Sequence, residues 1–327
     1  MADVITFGET MIRLSPPNYR RLEQSNLLEV NVGGSEWNVA VGLSRLGIES
    51  AWVSRLPNNT LGYMIRNKAR EHGVDTSYIV WASGGRVGLY FAEFGASPRP
   101  SSVLYDRANS AISQIKPGEI NWESIFQGAK WFHTSGITPA LSPDAAQVTA
   151  EALKTAKKAG CKVSYDLNYR ARLWTEEQAR DCQEPFLEHV DILFSTEEDT
   201  KKVLGITGQD YREVAKKLAE KFNFDAVCIT LREDLSVLRN RWTAIAYSAG
   251  KIYDDKTYDV EIIDRVGAGD SFTAGFIYGY LTGDVAKGVK YGNAFSALKH
   301  SIPGDANWTT LSDVENLIKS GSLRISR

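Results

Sequence analysis

The sequence is poor in the residues that build metal clusters and disulfide frameworks. Its three cysteines, Cys161, Cys182 and Cys228, stand far apart with no C-x-x-C spacing, and its four histidines, His72, His133, His189 and His300, form no i, i+4 pair. This excludes a zinc ribbon, a helical transition-metal site and a secreted disulfide scaffold, and it fits a reducing cytoplasm. No apolar run approaches the length of a membrane span, and Met1 to Gly8 read as a short apolar strand without the regions of a signal peptide, so a cytoplasmic protein with no membrane partner is expected. Charge of one sign is also missing: 38 Lys and Arg face 40 Asp and Glu, a net −2, which leaves no basic footprint for nucleic acid. There is no Walker A sequence, and Phe7-Gly-Glu-Thr10 stands where a Rossmann dehydrogenase carries G-x-G-x-x-G after its first strand. Solenoid-type repeats and low-complexity segments are absent as well.

What is present is a rhythm. With 327 residues, 43% of them hydrophobic, the chain is long enough for one large globular domain. Short β-branched and aromatic runs recur at Val4–Phe7, Ala51–Val53, Trp131–His133, Lys162–Leu167, Asp191–Phe194 and Ala226–Leu231. Between them lie helical periodicities at Trp37–Leu46, Leu61–His72, Asp144–Ala159, Tyr211–Phe222, Ser271–Leu281 and Val285–His300, several ending in Gly. Such alternation predicts an α/β sandwich around a mostly parallel sheet. Two stretches break it, Ile12–Val32 and Arg86–Arg107; the second holds the alternating run Gly88-Leu-Tyr-Phe-Ala-Glu-Phe94. They read as a small β-layer over a ligand crevice or at a subunit interface, or as a plain surface hairpin.

The chemistry concentrates in Ile263-Asp-Arg-Val-Gly-Ala-Gly-Asp-Ser-Phe-Thr-Ala-Gly275. Gly267, Ala268 and Gly269 allow a sharp turn into an apolar helix, whose free N–H groups would form an anion site. If a transferring phosphoryl group lies there, those donors stabilise its growing charge, and Asp270 is placed to accept the proton of an attacking hydroxyl. The same residues also read as a capped helix behind a tight turn. A second glycine constellation leading into a helix, Val32-Gly-Gly-Ser-Glu-Trp-Asn38, favours two ligand groups.

Asp264-Arg-Val-Gly-Ala-Gly-Asp270 closely resembles the C-terminal signature of the ribokinase (PfkB) carbohydrate kinases, and Gly33-Gly34 with Asn38 resembles their N-terminal signature. The resemblance spans almost the whole chain. It implies a single three-layer ribokinase-like sandwich over residues 1–327, with a mostly parallel central sheet and a small β-sheet lid from inserts at about 12–32 and 86–107. It implies ATP and Mg2+ as cofactors, the Gly267–Gly269 loop as anion hole, Asp270 as base, and contacts from Gly34 and Asn38 to sugar hydroxyls. Finer stretches are similar to the branch acting on 2-keto-3-deoxygluconate: Phe7 to Ser15, Gly88-Leu-Tyr-Phe91, Tyr105-Asp-Arg-Ala-Asn-Ser-Ala111, Ser135-Gly-Ile-Thr-Pro139 and Asp166-Leu-Asn-Tyr-Arg170. By that resemblance Tyr90, Tyr105, Arg107 and Arg170 bind the substrate, the two arginines offering a cationic fork to a carboxylate. Alternatively the arginines pair with Asp106 or Asp166. A kinase of neutral sugars or nucleosides, or a sugar-binding regulator without catalysis, are the competing readings, and relatives of this kind often pair as dimers.

Three positions depart from the family pattern. Ser195 stands where relatives carry an Asn, three residues before Glu198, so magnesium would be held by Glu198 through water. Arg232 and Leu235 replace two glycines near the nucleotide phosphates; Arg232 either binds phosphate or pairs with Glu233 or Asp234. Asn293 is expected to bond the nucleotide, on a helix whose periodicity otherwise reads as core.

Overall fold

A computed structural model describes residues 2–319. The chain enters through β1 (Val4–Phe7), makes β2 (Met11–Ser15) and β3 (Glu29–Gly33), and turns into α1 (Ser35–Arg45) and β4 (Ser50–Val53). A short ribbon, β5 (Arg55–Pro57) and β6 (Val80–Ala82), flanks α2 (Thr60–Glu71), followed by β7 (Gly88–Glu93), β8 (Ser102–Asp106) and α3 (Trp122–Ile125). Regular alternation resumes with β9 (Trp131–Ser135), α4 (Pro143–Lys158), β10 (Lys162–Asp166), α5 (Glu176–Gln183), β11 (Ile192–Ser195), α6 (Glu197–Leu204) and α7 (Tyr211–Phe222). The chain then forms β12 (Ala226–Ser236), β13 (Arg239–Ser248), β14 (Lys251–Asp254) and β15 (Tyr258–Glu261), and finishes in α8 (Ala268–Leu281), α9 (Val285–Lys299) and α10 (Leu311–Lys319).

The large sheet runs β14-β13-β12-β11-β10-β9-β1-β4, with β15 also on β13. From β4 to β12 every pairing is parallel; β13, β14 and β15 add an antiparallel edge. Helices cover both faces, so successive strand residues must both be apolar. Ile192 and Phe194 face one core with α1, α8 and α9, while Leu193 between them faces the other with α4 and α7. Val227 and Ile229 alternate with Ala226 and Cys228 in the same way. The fold is therefore the expected α/β sandwich, and no helix among the described residues is long and apolar enough to cross a membrane.

The two irregular stretches form a separate sheet in the order β3-β2-β7-β8. Its cross-strand register places Arg13, Tyr90 and Tyr105 in one row. The neighbouring row, Val30, Leu14, Phe91 and Leu104, therefore points to the opposite face. Arg13 and Tyr90 are buried toward the body, whereas Val30 and Leu104 are 52% and 58% exposed. The period of two thus sorts polar groups facing the body from an outer apolar stripe.

Helix α8 is buried almost all round and lies against α9 through glycines. A Cβ on Gly275 would sit 2.7 Å from the Cα of Gly292, and one on Gly279 would sit 2.6 Å from that of Gly288. This close approach fixes the helix whose first turn carries Asp270. Gly279→Val is expected to lower stability by about 3 kcal/mol, or to prevent folding. An unchanged urea midpoint would show that the two helices part without cost.

Candidate active site

Helices α2, α4, α6, α7 and α9 each begin with a side chain, from Asn59, Ser142, Thr196, Asp210 and Asp284 respectively, that accepts from the free N–H groups of the first turn. Helices α1 and α8 do not: each begins at a glycine, Gly34 or Gly267, with no side-chain cap. Both uncapped ends open into one cavity of about 380 Å3 at the C-terminal ends of β10 and β11. Unsatisfied donors at a helix start attract anions, so this cavity has two anion-receptive ends.

Each glycine has a steric reason. At Gly34 a Cβ would lie 2.1 Å from the Glu9 carbonyl oxygen. Gly267 has φ +84°, in the left-handed region, and a Cβ there would lie 2.2 Å from the Asp305 carbonyl oxygen. A Cβ on Gly269 would meet nothing within 4 Å, leaving the loop open on the cavity side.

The cavity gathers Gly34, Asn38, Tyr90, Tyr105, Arg107, Arg170, Ser195, Arg232, Gly267, Ala268, Gly269 and Asp270 on its wall. Asp270 lies in the first turn of α8, yet its carboxylate does not serve as a cap. Oδ1 accepts from the Ser35 hydroxyl at 2.7 Å and Oδ2 from Asn38 Nδ2 at 2.6 Å. Burial pushes this carboxyl above its usual range, opposed by those two hydrogen bonds and by the charges of Arg170 and Lys299. Neighbouring Glu36 is fully buried and pushed up to about 7 by desolvation. Its Oε1 accepts from Ser135 N–H at 3.0 Å and Oγ at 2.7 Å, which ties the start of α1 to the end of β9.

The two arginines part company. Arg107 bonds Glu9, whose other oxygen accepts from Ser110 Oγ at 2.9 Å. Its partner is thus neither Asp106 nor Asp166 but Glu9, and it keeps its place on the cavity wall. Asp106 pairs instead with Arg86. Arg170 makes no ion pair among the described residues; its Nη1 donates only to the Tyr169 carbonyl at 3.3 Å. Asp166, Asp199 and Asp270 are all raised by burial, and Arg170 opposes the rise at each. Four arginines and five carboxylates therefore share this wall, and Arg170 is the arginine of the pair that has no ion-pair partner among the described residues.

Two expected residues lie elsewhere. Asn293 is fully buried, with Nδ2 directed at the Ala244 carbonyl 3.4 Å away, and it is not on the wall of this cavity. It packs α9 against β13, which corrects its assignment to the nucleotide. Glu198 is exposed, bonds Lys202 at 2.5 Å, and borders a second, more open cavity; Asp199 faces the first instead. Ser195 lines the cavity, but its hydroxyl is engaged with Thr200 Oγ1 and the Thr196 carbonyl, both at 2.9 Å. Arg232 stands on the wall shared by the two cavities while its Nε pairs with Asp234 at 3.2 Å. Glu9, Asp166, Asp199 and Asp305 are wall residues without an assigned role in the sequence reading. Glu9 and Asp166 sat in motifs already singled out, Asp199 adjoins Glu198, and Asp305 had no local signal.

A family profile described as "pfkB family carbohydrate kinase" matches residues 1–310. The chain is 40% identical to a 2-dehydro-3-deoxygalactonokinase of Haloferax volcanii over 327 residues, covering all of this chain and 99% of the relative. It is 30% identical to a 5-dehydro-2-deoxygluconokinase of Bacillus licheniformis, covering 98% and 97% of the two chains. Among solved structures, a 2-dehydro-3-deoxygluconokinase of Thermotoga maritima superposes with a TM-score of 0.95 at 46% identity, covering 97% of this chain and 98% of that one.

Removing a donor to the ionised carboxylate disfavours the anion, so Asn38→Ala should move the Asp270 titration midpoint upward, read by carboxyl 13C NMR. A midpoint that stays in place would mean that the Asn38 contact does not bear on the charge of Asp270.

Proposed function

The chain belongs to the pfkB family of carbohydrate kinases, and on that footing we propose that it transfers the γ-phosphoryl group of ATP to a hydroxyl of a 2-keto-3-deoxy sugar acid. Our reading of the acceptor is 2-keto-3-deoxygluconate, giving the 6-phosphate. The observation that carries the reaction is the meeting of two uncapped helix starts with the carboxylate of Asp270 in one cavity. Phosphoryl transfer asks chiefly for positioning and for charge stabilisation, and little covalent work from the protein. Asp270, with its affinity for a proton raised by burial, accepts the proton of the attacking hydroxyl. Ser35 and Asn38 hold that carboxylate in place, and the amides of the Gly267–Gly269 loop, of which that of Ala268 also donates to the Arg265 carbonyl at 3.2 Å, donate to negative charge as it grows.

The nucleotide phosphates fit between the first cavity and the second, beside Arg232. Magnesium fits near Asp166 and Asp199, two hard oxygen donors that burial holds above the usual carboxylate range, Asp166 with a further push from the charge of Asp199. No group of three metal-ligating side chains stands together among the described residues, so such an ion would draw most of its ligands from water and phosphate. Bound Mg-ATP supplies the phosphoryl group.

Arg170 carries the choice of acceptor. A guanidinium on the cleft wall with no ion-pair partner among the described residues calls for an anionic group on the ligand, which a sugar acid has and a neutral hexose or nucleoside lacks. The similar 2-dehydro-3-deoxygalactonokinase and 2-dehydro-3-deoxygluconokinase support the acid class, and their names differ in the configuration of the sugar. The exposed outer stripe of the small sheet, Val30 and Leu104, supports pairing of two copies.

The test is ADP release with MgATP and, in turn, 2-keto-3-deoxygluconate, 2-keto-3-deoxygalactonate, fructose, ribose and adenosine. Turnover should be confined to the acids, and Arg170→Ala should lower kcat/KM for them roughly a hundredfold. Turnover with a neutral acceptor alone would discard the acid reading, and silence with all five would favour a sugar-binding regulator.

A further inference from the structure

Lys299 is the last residue of α9, and its side chain is fully buried. A lysine at a helix end ordinarily reaches for solvent beside the last carbonyls. Here the ammonium points inward and meets two backbone carbonyls, those of Asp264 at 3.1 Å and Ile302 at 3.0 Å. These oxygens belong to different segments. Asp264 opens the glycine loop that ends at Asp270, and Ile302 lies in the turn leading to Gly304 and Asp305.

The two segments hold each other closely. The N–H of Asp264 donates to the His300 carbonyl at 3.1 Å, and the Asp264 carboxylate accepts from Val266 N–H at 3.0 Å and Gly304 N–H at 2.9 Å. Arg13, arriving from β2, bridges Asp264 at 2.6 Å and Asp305 at 2.9 Å. Two buried carboxylates thus stand with two buried cations, and Lys299 is the cation whose contacts are both to main chain. Burial disfavours its charged form, while Asp264, Asp305 and Asp270 all favour it. The same coupling is felt from the other side, where Lys299 favours ionised Asp270.

We propose that Lys299 is a positioning residue for phosphoryl transfer: a built-in monovalent cation that clamps the 264–270 loop against the 300–305 turn and so keeps the uncapped start of α8 in its anion-receptive shape. It reaches neither acceptor nor nucleotide and acts through the loop. A role confined to neutralising buried carboxylates would lower stability and leave the rate of a folded variant intact. The inference rests on the proposed transfer, and the unmodified enzyme reports on that separately: if it turns over no acceptor, the reaction reading fails before Lys299 is in question.

Lys299→Ala removes the ammonium and leaves room for a small one. Its kcat should fall by roughly a hundredfold, the size of losing an oriented oxyanion donor, with sugar-acid KM changed by no more than about threefold. Ammonium or methylammonium should restore about tenfold of the lost rate, saturably, while tetramethylammonium at equal ionic strength should restore none. Lys299→Met, whose side chain fills the space, should be slow and beyond rescue. A Lys299→Ala rate within about threefold of the unmodified enzyme overturns the proposal, as does a lowered rate that no amine changes. Should Lys299→Ala be too unstable to assay, Lys299→Gln takes its place: a kcat lowered at least about tenfold with sugar-acid KM within about threefold supports the clamp, and a rate within about threefold of the unmodified enzyme overturns it.

Discussion

The carboxylate of Asp270 is held from across the chain by Ser35 and Asn38, residues more than two hundred positions away. This pair of hydrogen bonds joins the starts of α1 and α8, and most of the site follows from it. Both helices must begin without side-chain caps for their N–H groups to be free, and both must begin at glycine because another backbone passes within bonding distance of where a Cβ would sit. Behind them, α8 is seated by glycine contacts with α9 and by the core shared with α1. The first turn of α8 is therefore positioned by packing along its whole length, as a preorganised carbohydrate kinase site requires.

The small sheet is tied to the same loop. Arg13 on β2 spans Asp264 and Asp305, and Tyr90 on β7 bonds Asp305. Asp305 is pushed up to about 6 by burial, against the pull of Arg13. A buried ion network of this kind adds little net stability, since desolvation offsets the attraction, but it permits few alternative arrangements. It fixes one face of the small sheet over the cavity and leaves the opposite apolar stripe outward.

The parts of the site written in local sequence were legible, and those made by long-range pairing were not. The glycine loop, Asp270, Gly34 and Asn38 announce themselves through residue types that only a tight helix entry requires. Arg170 was legible as a cation, but that it has no ion pair among the described residues while Arg107 has one depends on Glu9 reaching Arg107 across ninety-eight positions. Asn293 packs on β13, a strand that the sequence hardly announces: the end of β12 is charged and exposed, and β13 opens as Arg-Asn-Arg-Trp, where the buried alternate residues Asn240 and Trp242 make no apolar run, so the carbonyl of Ala244 that meets Asn293 has no place in the pattern. The central strands, buried on both faces, gave short continuous apolar runs whose ends fell close to those observed. Asp305 sits in a loop between helices, and only the packing of that loop on Gly267 brings it to the cavity.

The most direct measurement is turnover and sugar-acid binding of Asp270→Asn side by side. The account predicts that ADP release falls at least about a thousandfold, the scale of a lost general base, while calorimetry shows the sugar acid bound nearly as tightly as before. A rate close to that of the unmodified enzyme would remove Asp270 from the proton transfer and contradict the account at its centre.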